Sequence, residues 1–158
     1  MKVLGIDPGL QKTGWAVIEK TGYDISYIKC GVVRTSPNES IDERLIKIFN
    51  FIQDICQYYC VDKACIEEVF LNSNPKSSEK LIMARTSSIL ALAKCEVPIQ
   101  TFCPNEVKKN VTGSGHSSKL TVETMVQKIL NIKIEKSREI THDSIDALAI
   151  AICGVFAS

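Results

Sequence analysis

Carboxylates stand at four places in this 158-residue chain where a neutral side chain would be the simpler choice. Asp7 closes the apolar run Val3-Leu4-Gly5-Ile6. Glu67 and Glu68 sit between Cys65-Ile66 and Val69-Phe70, and Asp143 and Asp146 lead into Ala147-Leu148-Ala149-Ile150-Ala151. Carboxylates brought together repel, and each raises its neighbours' pKa. Divalent cations relieve that repulsion, and an all-oxygen donor set suits Mg²⁺ or Mn²⁺. Two such ions about 4 Å apart can activate a water and stabilise the leaving oxygen of a phosphodiester. No evident nucleophilic serine or cysteine has a paired histidine, so attack by metal-activated water is the chemistry these acids suggest.

Each acid also has an ordinary explanation. Strand alternation puts Val3, Gly5 and Asp7 on one face and Leu4 and Ile6 on the other. Pro8 ends the ladder and Gly9 lets the backbone reverse, so Asp7 is held at the strand's end, where it could simply cap its own turn. Glu67 and Glu68 are adjacent and point to opposite faces, so only one can line a site near Asp7. The rival role for such an acid is to keep an edge strand soluble. Asp143 in a first helical turn favours the macrodipole. Asp146, three residues on and on the same face, is harder to dismiss, because the segment it precedes must be largely buried.

The elements that must position these residues read in order from the sequence. Strands are expected over about Lys2–Asp7, Thr13–Glu19 and Ile25–Arg34, joined by short turns that make them antiparallel neighbours. Ser40 with Glu43 forms a capping box for a helix over Ile41–Cys60, with Ile41, Leu45, Ile48, Phe49, Ile52, Ile55 and Tyr59 along one face. A strand over Ala64–Val69, a helix from Asn74-Pro75 to about Cys95 and a fifth strand over Val97–Phe102 follow. Pro104–Val111 reads as a short helix and residues 112–116 as a loop. Ser117 or Ser118 caps a helix with Val122, Met125, Val126, Ile129 and Leu130 on its core side. Thr141 caps the last one, which runs to about Phe156. This order implies one α/β domain over residues 1–158, a five-stranded mixed sheet with helices on both faces.

Composition narrows the setting. The hydrophobic and charged fractions, 45% and 23%, are those of an ordinary globular protein. A net charge of +1 gives no global basic field, so a nucleic-acid partner must be held by local patches. The seven cysteines are odd in number and dispersed, with no Cys-x-x-Cys pair. That usage favours a reducing cytoplasm over a disulfide framework. The run Ala147–Ala157 is too short to span a bilayer, and Asp7 breaks the N-terminal apolar run before it can serve as a signal peptide.

Gly5-Ile6-Asp7-Pro8-Gly9 with Thr13-Gly14, Ile66-Glu67-Glu68-Val69-Phe70, and Asp143-Ser144-Ile145-Asp146-Ala147-Leu148-Ala149 together resemble the RuvC-type Holliday junction resolvases of bacteria. Val107-Lys108-Lys109, Gly113-Ser114-Gly115 ahead of Lys119, and Lys80-Leu81 with Ala84-Arg85 extend the likeness over nearly the whole chain. The resemblance implies an RNase H-like fold, a homodimer, and paired Mg²⁺-dependent nicks across a four-way DNA junction. It also implies a branch-migration motor complex as partner. It makes Asp7, Glu67, Asp143 and Asp146 the metal ligands, choosing Glu67 over Glu68, and implies two ions per site with Mn²⁺ as a substitute. Lys119 matches a lysine near the scissile phosphate, where a cation offsets transition-state charge. Lys108, Lys80 and Arg85 match basic positions at the DNA surface. Phe70 matches an aromatic near the junction centre, where stacking on an unpaired base contributes about 1–3 kcal/mol.

The chain departs from the family pattern at Thr86, where Gly is usual, and at Leu10-Gln11, where a small polar residue and Arg are common. His142 falls at a variable position, as a helper base or as a plain N-terminal helix residue. Arg85 could also pair with an acid such as Glu79 or Glu123. Two other classes share some of these features. An actin-like phosphotransferase also opens with a strand, an acid and a glycine turn, but needs phosphate-binding turns in a second half that this length does not provide. A non-catalytic junction-binding module would have no use for all four acids together with Lys119.

Overall fold

In the computed structural model, residues 1–69, 75–134 and 140–157 are described, less the side chains of 75 and 76. The strands are β1 (Lys2–Asp7), β2 (Lys12–Thr21), β3 (Asp24–Arg34), β4 (Lys63–Glu67) and β5 (Ile99–Phe102). The helices are α1 (Ile41–Tyr59), α2 (Pro75–Lys94), α3 (Pro104–Thr112), α4 (Lys119–Ile129) and α5 (His142–Phe156). One five-stranded sheet has the order β3-β2-β1-β4-β5. The two hairpins at the front of the chain make β1, β2 and β3 antiparallel. β4 and β5, each reached through a helix, run parallel to β1.

Alternation along β1 sorts the core into two layers. Leu4 and Ile6 face α1 and α2, with Ile48, Ile52 and Leu92. Val3 faces the other way, with Phe102 of β5, Val107 of α3, Val126 of α4 and the apolar body of α5. The α5 sequence Ile145–Val155 is buried apart from Asp146, as a helix filling the middle of a layer must be. It lies close against β1. A side chain at Gly5 would overlap the Ala147 carbonyl and the Ala151 backbone, so Gly5 and two alanines one turn apart bring helix and strand into backbone contact.

Several boundaries differ from the sequence reading. β4 ends at Glu67 rather than Val69, since its partner β1 turns away at Pro8 after the Ile6–Ile66 pair. β5 starts at Ile99 rather than Val97, because the Val97 N–H is taken by the Leu92 carbonyl at 3.1 Å, closing α2, and Pro98 follows. β2 extends to Lys12 and Thr21 along the β3 ladder. Ile41, expected on the core face of α1, is 43% exposed; the buried stripe starts at Ile48. Among the described residues no helix is long and apolar enough to cross a membrane, and the seven cysteines are free thiols.

Candidate active site

The acids gather where β1 and β4 end. Asp7 shares its face of β1 with Val3 and Gly5, which look toward α5. Thr13 is buried and donates its hydroxyl to the Gly9 carbonyl at 2.8 Å, which ties the turn that holds Asp7. Glu67 follows Ile66, the residue paired with Ile6, so it stands beside Asp7 on the neighbouring parallel strand. Cys65 belongs to the α5 layer and Ile66 to the α1–α2 layer. Parity therefore gives Glu67 the α5 face and sends the exposed Glu68 to the other.

The remaining acids come from the first two turns of α5. Gly14 lies opposite Asp7 in the antiparallel ladder. A Cβ on it would overlap the backbone carbonyl of Asp143. The missing side chain thus lets the start of α5 sit on the strand next to Asp7. The Thr141 hydroxyl donates to Asp143 Oδ2 at 3.0 Å, and the Thr141 N–H donates to Ser144 Oγ at 2.9 Å. Asp146, one turn later, meets Lys119 Nζ at 3.5 Å. Lys119 is the first residue of α4, whose Ser118 cap accepts the Thr121 N–H at 3.1 Å.

Burial and mutual repulsion shape the electrostatics. The Asp7 carboxyl is held well above the usual range, first by burial and then by Glu67, Asp146 and Asp143, with Lys119 opposing. Glu67 is pushed up to about 7 by burial and by Asp146, against the pull of Lys119 and Lys108. Asp146 is raised by burial while Lys119 holds it down. Lys108, half-buried on α3, and Lys119 join Glu67 and Asp146 around a cleft of about 230 Å³.

Carboxylates at this density are unfavourable without a cation, and the donors, all hard oxygens, fit Mg²⁺ or Mn²⁺ in kind. Among the described residues no three Asp, Glu, His or Cys side chains stand close enough to form a ready-made ion cage. Two of the acids are otherwise engaged: Asp146 with the lysine ammonium, and Asp143 with the Thr141 hydroxyl. Lys119 sets a positive charge against Asp146 and also eases ionisation of Asp7 and Glu67.

The other expected residues divide. Arg85 is half-buried on α2, its Nε donating to the Glu67 carbonyl at 3.0 Å and Nη2 reaching Thr101 Oγ1 at 3.5 Å. It thereby holds the end of β4 that carries Glu67, a role that no sequence pattern announced. Lys80 is exposed, across the β1–β2 turn from the acids. His142 is exposed at the head of α5, and Thr86 lines an apolar groove between α1 and α2. Phe70 lies outside the described residues. Thr141 and Gly14 were missed in their positioning roles; the Thr13-Gly14 pair was visible, but its partner on α5 was not.

The sheet order, with Asp7 and Glu67 at the ends of the neighbouring strands β1 and β4, defines an RNase H-like α/β domain with an acidic cleft. The chain belongs to the RuvC family: the family model described as Crossover junction endodeoxyribonuclease RuvC matches residues 3–154. A relative of that description from Ehrlichia chaffeensis is 41% identical over 156 residues, covering 99% of this chain and 97% of its own. Another, from Acinetobacter baylyi, is 36% identical over 156 residues, with 99% and 83% covered. The structure of Thermus thermophilus RuvC in complex with Holliday junction substrate superposes with a TM-score of 0.91 at 30% identity, covering 99% of this chain and 94% of that one. The yeast mitochondrial Holliday junction resolvase shares the fold, with a TM-score of 0.65 at 13% identity, covering 96% of this chain and 77% of its own.

Proposed function

We propose that this protein resolves four-way DNA junctions by paired, metal-dependent phosphodiester hydrolysis. One observation supports it above the others: within a RuvC-family chain, Asp7 and Glu67 stand side by side at the strand ends, facing the acids of α5 and Lys119. Asp7, Glu67, Asp143 and Asp146 would hold Mg²⁺, up to two ions per site. The metal supplies charge neutralisation and a water activated at neutral pH. Lys119 leaves Asp146 for the scissile phosphate and offsets charge in the transition state. Lys108 steadies the backbone beside it. Phe70 stacks at the junction centre. Arg85 fixes Glu67 through its carbonyl.

Each chain carries one such cleft, whereas resolution cuts two like strands. A twofold homodimer supplies the second site. The groove between α1 and α2, about 350 Å³ and lined by Leu45, Phe49 and the exposed Ile46, Ile82 and Leu90, suits a second copy. Free thiols fit a cytoplasmic setting, where a branch-migration motor would deliver the junction.

Incubating the purified protein with a synthetic four-way junction tests this reading. Symmetrical nicks are expected with Mg²⁺, none in EDTA, and none in a linear duplex of the same sequence. Equal cutting of the duplex, or an intact junction in Mg²⁺, would overturn it.

A further inference from the structure

A second cleft opens at the same end of the sheet, on the other side of the β1–β2 turn from the acids. It measures about 450 Å³, and its walls include Gln11 and Lys12 after that turn, Arg44 of α1, and Ser77 and Lys80 of α2. The whole chain has a net charge of only +1, yet among the described residues three cations and no carboxylate line this space. Like charges converge in this way at a stability cost unless an anion bridges them.

The cleft is built rather than incidental. Arg44 Nε donates to Thr35 Oγ1 at 2.8 Å, and Thr35 is buried. Thr35 in turn donates its hydroxyl to the Leu10 carbonyl and its N–H to the Gln11 carbonyl at 3.2 Å. Arg44 is thus locked to the same turn that presents Asp7, and it lines the cleft. Glu39 feels Arg44, but its own oxygens are engaged by the Ser36 N–H at 2.6 Å and by Lys47 at 3.4 Å. Lys12 and Lys80 are exposed and have no ion-pair partner among the described residues.

The turn works as a ridge between two chemistries. Asp7 faces α5, whereas Leu10 packs into the layer of α1 and α2. We propose that this cleft binds the sugar-phosphate backbone of the junction at nucleotides flanking the cut, with Lys12, Arg44 and Lys80 on successive phosphates. A strand draped over the ridge then has one phosphate among the acids and its neighbours among the cations. The arrangement rests on the function proposed above and adds to it a register device: the turn that carries the first acid also carries the grip. Three cations from three separate elements suit an extended polyanion better than a single phosphate.

Binding of a labelled four-way junction in EDTA, measured over a salt series, tests the cleft. Lys12→Ala should weaken binding severalfold and lower the slope of log K against log salt by about 1, as loss of one phosphate contact does. Lys12→Arg should restore both. Lys20→Ala removes the same charge at the opposite end of β2 and should move neither. A slope unchanged by Lys12→Ala, or an equal fall in Lys20→Ala, would overturn the proposal. A linear duplex run in parallel separates the two readings. Wild-type protein with no preference for the junction counts against the function, whereas a slope indifferent to Lys12 on either DNA counts against the cleft.

Discussion

The carbonyl of Asp143 rests on the Cα of Gly14, in space that any side chain would fill. Because Gly14 is the ladder partner of Asp7, this contact, together with that at Gly5, sets how near the acids of α5 come to the acid of β1. Gly14→Ala must push the head of α5 outward. Overpacking of this kind costs about 1–3 kcal/mol. The expected result is a folded protein with a lowered melting temperature and a cleavage rate reduced more than its junction affinity. Thermal melts with single-turnover kinetics check it, and a rate equal to wild type would show that Asp143 tolerates the displacement.

Asp7→Asn keeps the size of the side chain and removes its charge. Cleavage should be lost while junction binding persists, since the proposed phosphate contacts come from the lysines. A filter-binding curve beside a cleavage gel reads both, and an active variant would remove Asp7 from the set of essential ligands.

Lys119 is mostly exposed and touches the acids only through Asp146. Its absence should therefore leave the fold alone and slow the chemical step by about two to three orders of magnitude, the loss seen when a transition-state charge donor is removed. Affinity should change much less. A loss of affinity as large as the loss of rate would make Lys119 a DNA-binding residue.

Glu67 links the site to stability. Its folded pKa, about 7, lies above the ordinary 4.5, so ionising it opposes folding. The penalty is absent below about pH 4, grows between 4.5 and 7, and is complete above that. Glu67→Gln should therefore stabilise the metal-free protein at pH 8, by up to about 3 kcal/mol, and do nothing at pH 4. Adding Mg²⁺ should stabilise the wild type and erase the advantage of the variant. Melting curves in EDTA across that pH range check the sign.

Much of this was legible in the sequence because it depends on local periodicity. Alternation in Val3–Asp7 put Asp7 on a face with Gly5, and three-residue spacing put Asp143 with Asp146. The five strands and five helices follow from caps, turns and apolar stripes. Contacts between distant segments were not legible. Alternation separated Glu67 from Glu68 but could not say which face α5 would cover; only the family resemblance chose. The grip of Arg85 on the Glu67 carbonyl and the placing of Lys12 and Arg44 on one cleft join elements with no shared pattern. The strand ends at Glu67 and Ile99 were set by partners in space, β1 and the close of α2.

The helix that packs on Gly5 and Gly14 also carries two of the four proposed metal-binding acids, and in chain order it follows every strand of the sheet. A nascent chain that has paired its strands still lacks Asp143 and Asp146. Docking α5 onto Gly5 and Gly14 both seals the interior and brings in the last two acids of the proposed set. The proposed acid set is thus assembled only once α5 has docked on the sheet.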